Sequence, residues 1–156
     1  MGETMTIQEV VSTVLTDTLG LVATPEKWTQ CAYARDVTGW EISDPVGTSV
    51  VPKCYCIDGA LRRVVHVERR DWLHEQAAAF GDDEDPIRFR SAVYKYANTA
   101  ACEAFRTMFR DRIEQAHVVD YCHDLWAWND TGVRDHADVV AGLKLAITRE
   151  GREIVH

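Results

Sequence analysis

From Asp85 to Ile113 the chain carries one apolar stripe: Val93, Tyr96, Ala97, Ala100, Ala104, Phe105, Met108, Phe109 and Ile113 recur at helical spacing. Asp85 and Pro86 supply a helix start, because proline fits a first turn that has no amide partner to lose. A long one-sided helix is stable only when its stripe is packed, so it dictates helical partners. "TIQEVVSTVLTDTLG" supplies one: Thr6 and Glu9 form a capping box, Ile7, Val10, Val11, Val14 and Leu15 share a face, and Gly20 ends the run. "TPEKWTQCAYARD" is predicted as a second helix, with Thr24 as cap and Pro25 in its first turn. "KCYCIDGALRRVVHVERRDWLHEQAAAF" reads as a helix that breaks near Asp71, with Cys56, Ala60, Leu61, Val64 and Val65 inward. The last helix starts near Asp135 and turns Val139, Val140, Leu143, Ala146 and Ile147 to the core.

Between these lie residues 36–51, rich in glycine and turn formers, and the breaker "GDDEDP". The expected fold is mainly α: residues 1–156 as a single compact domain of five or six helices with one long irregular loop and a flexible tail at 150–156. A hydrophobic fraction of 46% supports a packed core rather than disorder. A net charge of −8 argues against direct nucleic-acid binding and anionic membranes, both of which need positive charge. No apolar run reaches the ~18 residues of a membrane span. "MGETMTIQEV" lacks the basic and apolar regions of an export signal, so the expected location is cytoplasmic. The five cysteines then read as free thiols, and the charge runs "LRRVVHVERRD" and "RFRSAVYKY" as solvated helix faces.

Three chemistries compete for the thiols. Cys31, Cys54, Cys56, Cys122 and His123 are zinc-ligand types, but their spacing is not that of a zinc knuckle, so no metal and no cofactor is expected. A redox pair is disfavoured because C-x-C on a helix points its sulfurs to opposite faces. The third is nucleophilic catalysis by Cys56, at a helix start whose dipole would favour a thiolate. His66, His74, His117, His123 or His136 would be its base, oriented by Asp36, Asp124 or Asp130. Against this, the helical phase of Cys56 with Ala60 and Val64 reads as core, and the opposite phase of Cys54 reads as nearer the surface. "LWAWND" followed by "TGVRD" looks like a fixed turn entering a helix, with asparagine and aspartate bonding local amides.

"KWTQCAYARDVTG", "CYCIDGAL" and "WND" ahead of "DVVAGLKLAI" resemble an uncharacterised family of small actinobacterial and phage proteins. The resemblance carries Trp28, Thr29, Gln30, Asp36, Gly39, Cys56, Gly59, Ala60, Trp128, Asn129 and Asp130. It implies a bacterial or phage setting and no particular activity. It leaves out Cys31 and Cys54, which weakens the zinc reading further.

The resulting expectation is an accessory protein that acts by binding a partner protein or a small molecule. Its site would lie where the W-T-Q segment, the 36–51 loop and the W-N-D turn meet. The candidate residues are Trp28, Gln30, Asp36, Trp40, Trp128, Asn129 and Asp130, with Cys56 as the nucleophile of the alternative, a thiol-dependent enzyme.

Overall fold

The computed structural model describes residues 5–47, 50–81, 85–115 and 124–152, with backbone alone along 112–115 and at 152. Six α-helices and a small three-stranded sheet follow in the order α1 (Ile7–Leu21), β1 (Ala34–Arg35), β2 (Glu41–Ile42), β3 (Cys54–Tyr55), α2 (Ile57–Arg63), α3 (Arg70–Ala79), α4 (Pro86–Gln115), α5 (Leu125–Ala127) and α6 (His136–Arg152). The mainly helical class is as the periodicities require.

α1, α4 and α6 form the central layer, and α3 packs on α4. The Thr6 hydroxyl caps α1 by accepting from Glu9 N at 3.2 Å. Val10, Val11, Val14 and Leu15 are fully buried. Gly20 lies inside the last turn, and the helix ends one residue later. Asp85 caps α4 by accepting from Arg88 N at 3.0 Å, and Asp135 caps α6 by accepting from Asp138 N at 3.1 Å. Of the α4 stripe, Val93, Ala97, Ala100, Ala104, Phe105 and Phe109 are buried, while Tyr96 and Met108 sit on its rim. α6 runs to Arg152 and buries Glu150, so residues 150–152 are helix rather than flexible tail.

Two sequence readings fail here. Residues 24–36 are not a helix. Only Pro25–Lys27 make a 3₁₀ turn, after which Trp28 is extended (φ −111°, ψ 143°) and Cys31 is left-handed (φ 62°). The start signals at Thr24 and Pro25 are real, but from Trp28 onward the backbone bonds to other segments: Thr29 N donates to Tyr55 O at 2.9 Å, and Cys31 N to Asp130 Oδ1 at 2.9 Å. The chain then forms β1, central in the antiparallel order β2-β1-β3, with Arg35 opposite both Glu41 and Cys54. The second failure is Cys54. It lies on β3, buried like Cys56, rather than on the outer face of a helix. The α2 helix begins only at Ile57.

The helix from Ile57 breaks at Arg69, two residues before the expected Asp71. A π-turn over Val64–Glu68, closed by Arg69 N donating to Val64 O at 2.8 Å, separates α2 from α3. Asp82, Asp83 and Glu84 of the acidic breaker, and Cys122 and His123 of the zinc reading, lie outside the described residues.

α6 crosses α4 at Gly142, where an added Cβ would stand 2.2 Å from the Phe105 ring. Phe105 is itself buried and stacked on Trp128 at 5.8 Å, so it has nowhere to move. Gly142→Ala is therefore expected to lower stability by about 1–3 kcal/mol despite alanine's better helix propensity. A urea unfolding curve checks this; an unchanged or higher midpoint would mean that the α4–α6 crossing is looser than described.

Candidate functional site

Asn129 sits in a π-turn, Trp128–Gly132, closed by Val133 N donating to Trp128 O at 2.9 Å. Its side chain is fully buried, and every bonding position is used. Oδ1 accepts from the Trp28 indole Nε1 at 2.7 Å and from Ile57 N at 3.0 Å. Nδ2 donates to Thr29 O at 3.0 Å and to Asp130 Oδ1 at 2.9 Å. Its backbone carbonyl accepts from Gln30 Nε2 at 2.8 Å. One amide thus ties the W-T-Q segment, the start of α2 and the W-N-D turn together. Trp128 fixes the turn from below, stacked on Phe105, and an added Cβ at Gly132 would meet its ring at 2.2 Å.

The opening of α2 is fixed as tightly. Cys56 is its N-cap, and the sulfur accepts from Gly59 N at 3.2 Å. Cys56 N donates to Tyr33 O at 3.0 Å, and an added Cβ at Gly59 would lie 2.0 Å from that same carbonyl. The C-x-x-G-A segment therefore reads as a thiol cap followed by a glycine on which β1 rests directly. Burial pushes the Cys56 thiol up to about 12; the Gly59 N–H opposes this, and the Asp58 and Asp130 carboxylates add to it. The dipole effect expected of a helix start does not win here.

A pocket of about 180 Å³ opens beside this framework, lined by Cys31, Ala32, Tyr33, Glu41, Cys56, Trp126 and Asp130. Asp130 uses one oxygen, Oδ1, for Cys31 N and Asn129 Nδ2. Of the sequence candidates, Trp28, Gln30, Trp128 and Asn129 build the framework, while Cys56 and Asp130 reach the pocket wall. Asp36 does not join them. It closes the β1–β2 turn, its Oδ1 accepting from the Thr38 hydroxyl at 2.6 Å, Thr38 N at 2.8 Å and Trp40 N at 3.1 Å. The Thr38 hydroxyl leads in holding its carboxyl below the usual range. Trp40 is 76% exposed, away from Trp28 and Trp128. An aromatic pocket shared by Trp28, Trp40, Trp126 and Trp128, which the sequence allows, is therefore not formed: of the four, Trp126 lines the pocket.

Sequence reasoning missed Tyr33 and Glu41 as pocket residues, and it missed a polar cluster behind them. Asp58 is 2% exposed, accepts from the Tyr94 hydroxyl, and pairs with Arg62 Nε at 3.3 Å. Arg62 lies over both the Tyr33 ring (5.3 Å) and the Tyr94 ring (5.0 Å). Burial, then Asp58, holds the Tyr94 hydroxyl above its ordinary range. The helical phase of Asp58 against Arg62 was the available signal; "LRRVVHVERRD" is not a simple solvated face. Among the described residues, no three His, Cys, Asp or Glu side chains gather into a metal-binding group.

Asn129→Ala would leave the Trp28 indole, Ile57 N and Thr29 O without partners. The expected loss is about 3–4 kcal/mol, read by thermal or chemical unfolding. Asp130→Asn keeps the Oδ1 acceptor and is expected to cost less than Asp130→Ala, for which the loss is about 1–3 kcal/mol. Equal losses for the two Asp130 variants would contradict the assigned bonds. Thiol modification followed by peptide mass mapping is expected to label exposed Cys31 first and to leave Cys54 and Cys56 protected while the fold is closed.

No curated protein and no solved structure matches the chain. A family model described as a family of unknown function, DUF6197, matches residues 6–149. The match takes in the whole framework, from the Thr6 cap through the W-T-Q segment to the body of α6, and the chain belongs to that family of unknown function.

Proposed function

We propose that this protein is a binding protein whose pocket recognises an ammonium or guanidinium group, carried by a small molecule or by a lysine or arginine of a partner protein. The observation that carries the reading is the pocket's chemistry. Its charged lining groups are two carboxylates, Glu41 and Asp130, and its rings are Tyr33 and Trp126. Glu41 makes no ion pair among the described residues. Arg35 faces it across the strands, but its guanidinium is spent on the Thr29 hydroxyl and the Gly39 and Gln30 carbonyls. Among the described residues, Asp130 forms its side-chain bonds through Oδ1, and Oδ2 takes none. Both charges acting on the neighbouring Cys56 thiol are negative, which supports a cation-attracting wall. Carboxylates beside aromatic faces favour organic cations by Coulombic and cation–π attraction.

The partner-borne form of the cation has its own support. In the β1–β2 turn that leads into Glu41 the chain exposes Val37 and Trp40, each more than 70% exposed. A partner inserting a basic side chain would cover these apolar groups as it docks. The thiol-enzyme alternative has less support. A nucleophile needs a thiolate, and the Cys56 thiol is buried, raised well above neutrality and bonded to Gly59 N, with no histidine among the described residues bonded to its sulfur.

The test is calorimetric titration with three ligands of one shape: benzylammonium, benzyl alcohol and benzoate. Benzylammonium is expected to bind at least about tenfold more tightly than the other two. Glu41→Gln and Asp130→Asn should each weaken it about tenfold or more, the value of a charged hydrogen bond. Benzoate or benzyl alcohol binding as well as the cation would overturn the cation reading. Binding by none of the three would remove the pocket as a small-ligand site.

A further inference from the structure

We propose a second site, on the other side of α2 from the pocket, where Arg70, His74 and Arg90 bind a phosphate group in the groove between α3 and α4. Arg70 and His74 stand one turn apart on α3, and Arg90 and Tyr94 one turn apart on α4, the helix against which α3 packs. The π-turn brings a further imidazole to the same groove: the His66 ring is 6.4 Å from the Tyr94 ring.

Three observations say that an anion belongs there. The first is that, among the described residues, these cations meet no counter-charge in a chain of net charge −8. Among the described residues, neither arginine and neither histidine pairs with a carboxylate. Asp58, the nearest buried acid, is already satisfied by Arg62 and Tyr94. Asp71 and Glu75 lie on α3 but bond none of these cations.

The second is a pair of unmet polar atoms. Arg90 Nε and His74 Nε2 are buried without a hydrogen-bond partner. Most buried polar groups in a folded protein are paired, so two orphans on facing helices require an explanation. Arg90 Nε can only donate, so its missing partner is an acceptor, and the same acceptor would satisfy His74 Nε2 when that nitrogen carries the ring proton.

The third is mutual repulsion. Burial and then the charge of Arg70 weaken protonation of Arg90, and burial followed by Arg90 and Arg62 keeps His66 below its ordinary value. Like charges held together without a counter-ion are costly unless a ligand supplies one. A tetrahedral dianion has the acceptors to bridge two planar guanidinium groups and an imidazole. The cluster holds only two arginines in a chain of net charge −8, which favours a single phosphate over a nucleic-acid backbone.

The experiment titrates the full chain with inorganic phosphate and, separately, with methyl phosphate, using sodium chloride at matched ionic strength as the control. Calorimetry gives affinity, and the ring resonances of His66 and His74 report the location. Saturable binding of either phosphate, with shifts at His74, supports the site. Tighter binding of methyl phosphate points to a phosphate ester as the source, and tighter binding of the free ion points to inorganic phosphate. Arg90→Met is expected to weaken binding at least tenfold and to melt above the parent when phosphate is absent, since it removes an unpaired charge. Arg70→Gln, at an exposed position, should weaken binding several-fold without shifting the phosphate-free melting temperature. The proposal is overturned if chloride reproduces the effect, or if both variants bind phosphate as the parent does. It is also overturned if Arg90→Met melts lower with its affinity intact, which would make Arg90 a packing residue.

Discussion

Burying a side-chain amide without partners costs several kcal/mol, and Asn129 avoids that cost only by meeting four groups at once. Those groups come from the W-T-Q segment, from the first residue of α2 and from the neighbouring Asp130. The segments cannot shift independently without orphaning the amide, so their relative placement is set by one residue. The local conformations follow. Cys31 sits in the left-handed region at φ 62°, unusual for a residue with a β-carbon, and its amide is held there by Asp130 Oδ1. The turn carrying Asn129 is widened into a π-turn, a form common where a helix is bent to present a group.

This dependence also decides what was legible in the sequence. α1, α4 and α6 were, because each is held by burial of one stripe and the stripe is written locally. Residues 24–36 were not. Thr24, Pro25 and Glu26 carry genuine helix-start signals, and nothing local announces that Thr29 and Cys31 will bond to groups distant in sequence. Cys54 and Cys56 failed for the same reason: the assumed helical phase began before the real helix, because pairing of β3 with β1 captures Cys54 and Tyr55 first. The meeting of Trp28, Gln30, Asn129 and Asp130 was inferable, since polar groups beside tryptophans must find partners. Asp130 belongs to both the framework and the pocket: its Oδ1 holds Cys31 N and Asn129 Nδ2, and the residue also lines the cavity.

The charges are sorted by α2. Glu41 and Asp130 line the pocket with Tyr33, whereas His66 lies beside Tyr94 within reach of the Arg90 charge. Arg62 divides them, lying over Tyr33 of the pocket wall and Tyr94 of the groove while pairing with Asp58. A buried ion pair is weak evidence for stability, because desolvation offsets much of its attraction. Its position is more informative. Asp58 pairs with Arg62 between the two tyrosine rings, yet the Arg62 charge still reaches His66 and adds to the positive character of the groove. The same layout makes Gly59 necessary: β1 must rest on α2 closely enough for Tyr33 to reach Arg62, and a β-carbon would prevent it.

The identity of the α2 cap is the remaining clue to the pocket. Serine, threonine, aspartate and asparagine are the usual caps because oxygen accepts a backbone N–H well. Cysteine accepts more weakly, so Cys56 gives up capping strength. What it gains is visible in its surroundings. Aspartate there would add a third carboxylate beside Asp58 and Asp130, and their repulsion already pushes against ionisation of the thiol. A neutral, buried sulfur caps Gly59 N and still presents an apolar surface to the cavity. For a cap alone the choice is poor. On the proposed reading it makes sense for a residue that must also serve as the uncharged floor between Glu41 and Asp130, where a cation would pack against a surface that needs no hydrogen bond from it. Because the floor, the strand and the turn are held by their own hydrogen bonds, a ligand of the proposed kind would lose little ordering entropy on entry, which is what selective binding in so small a cavity requires.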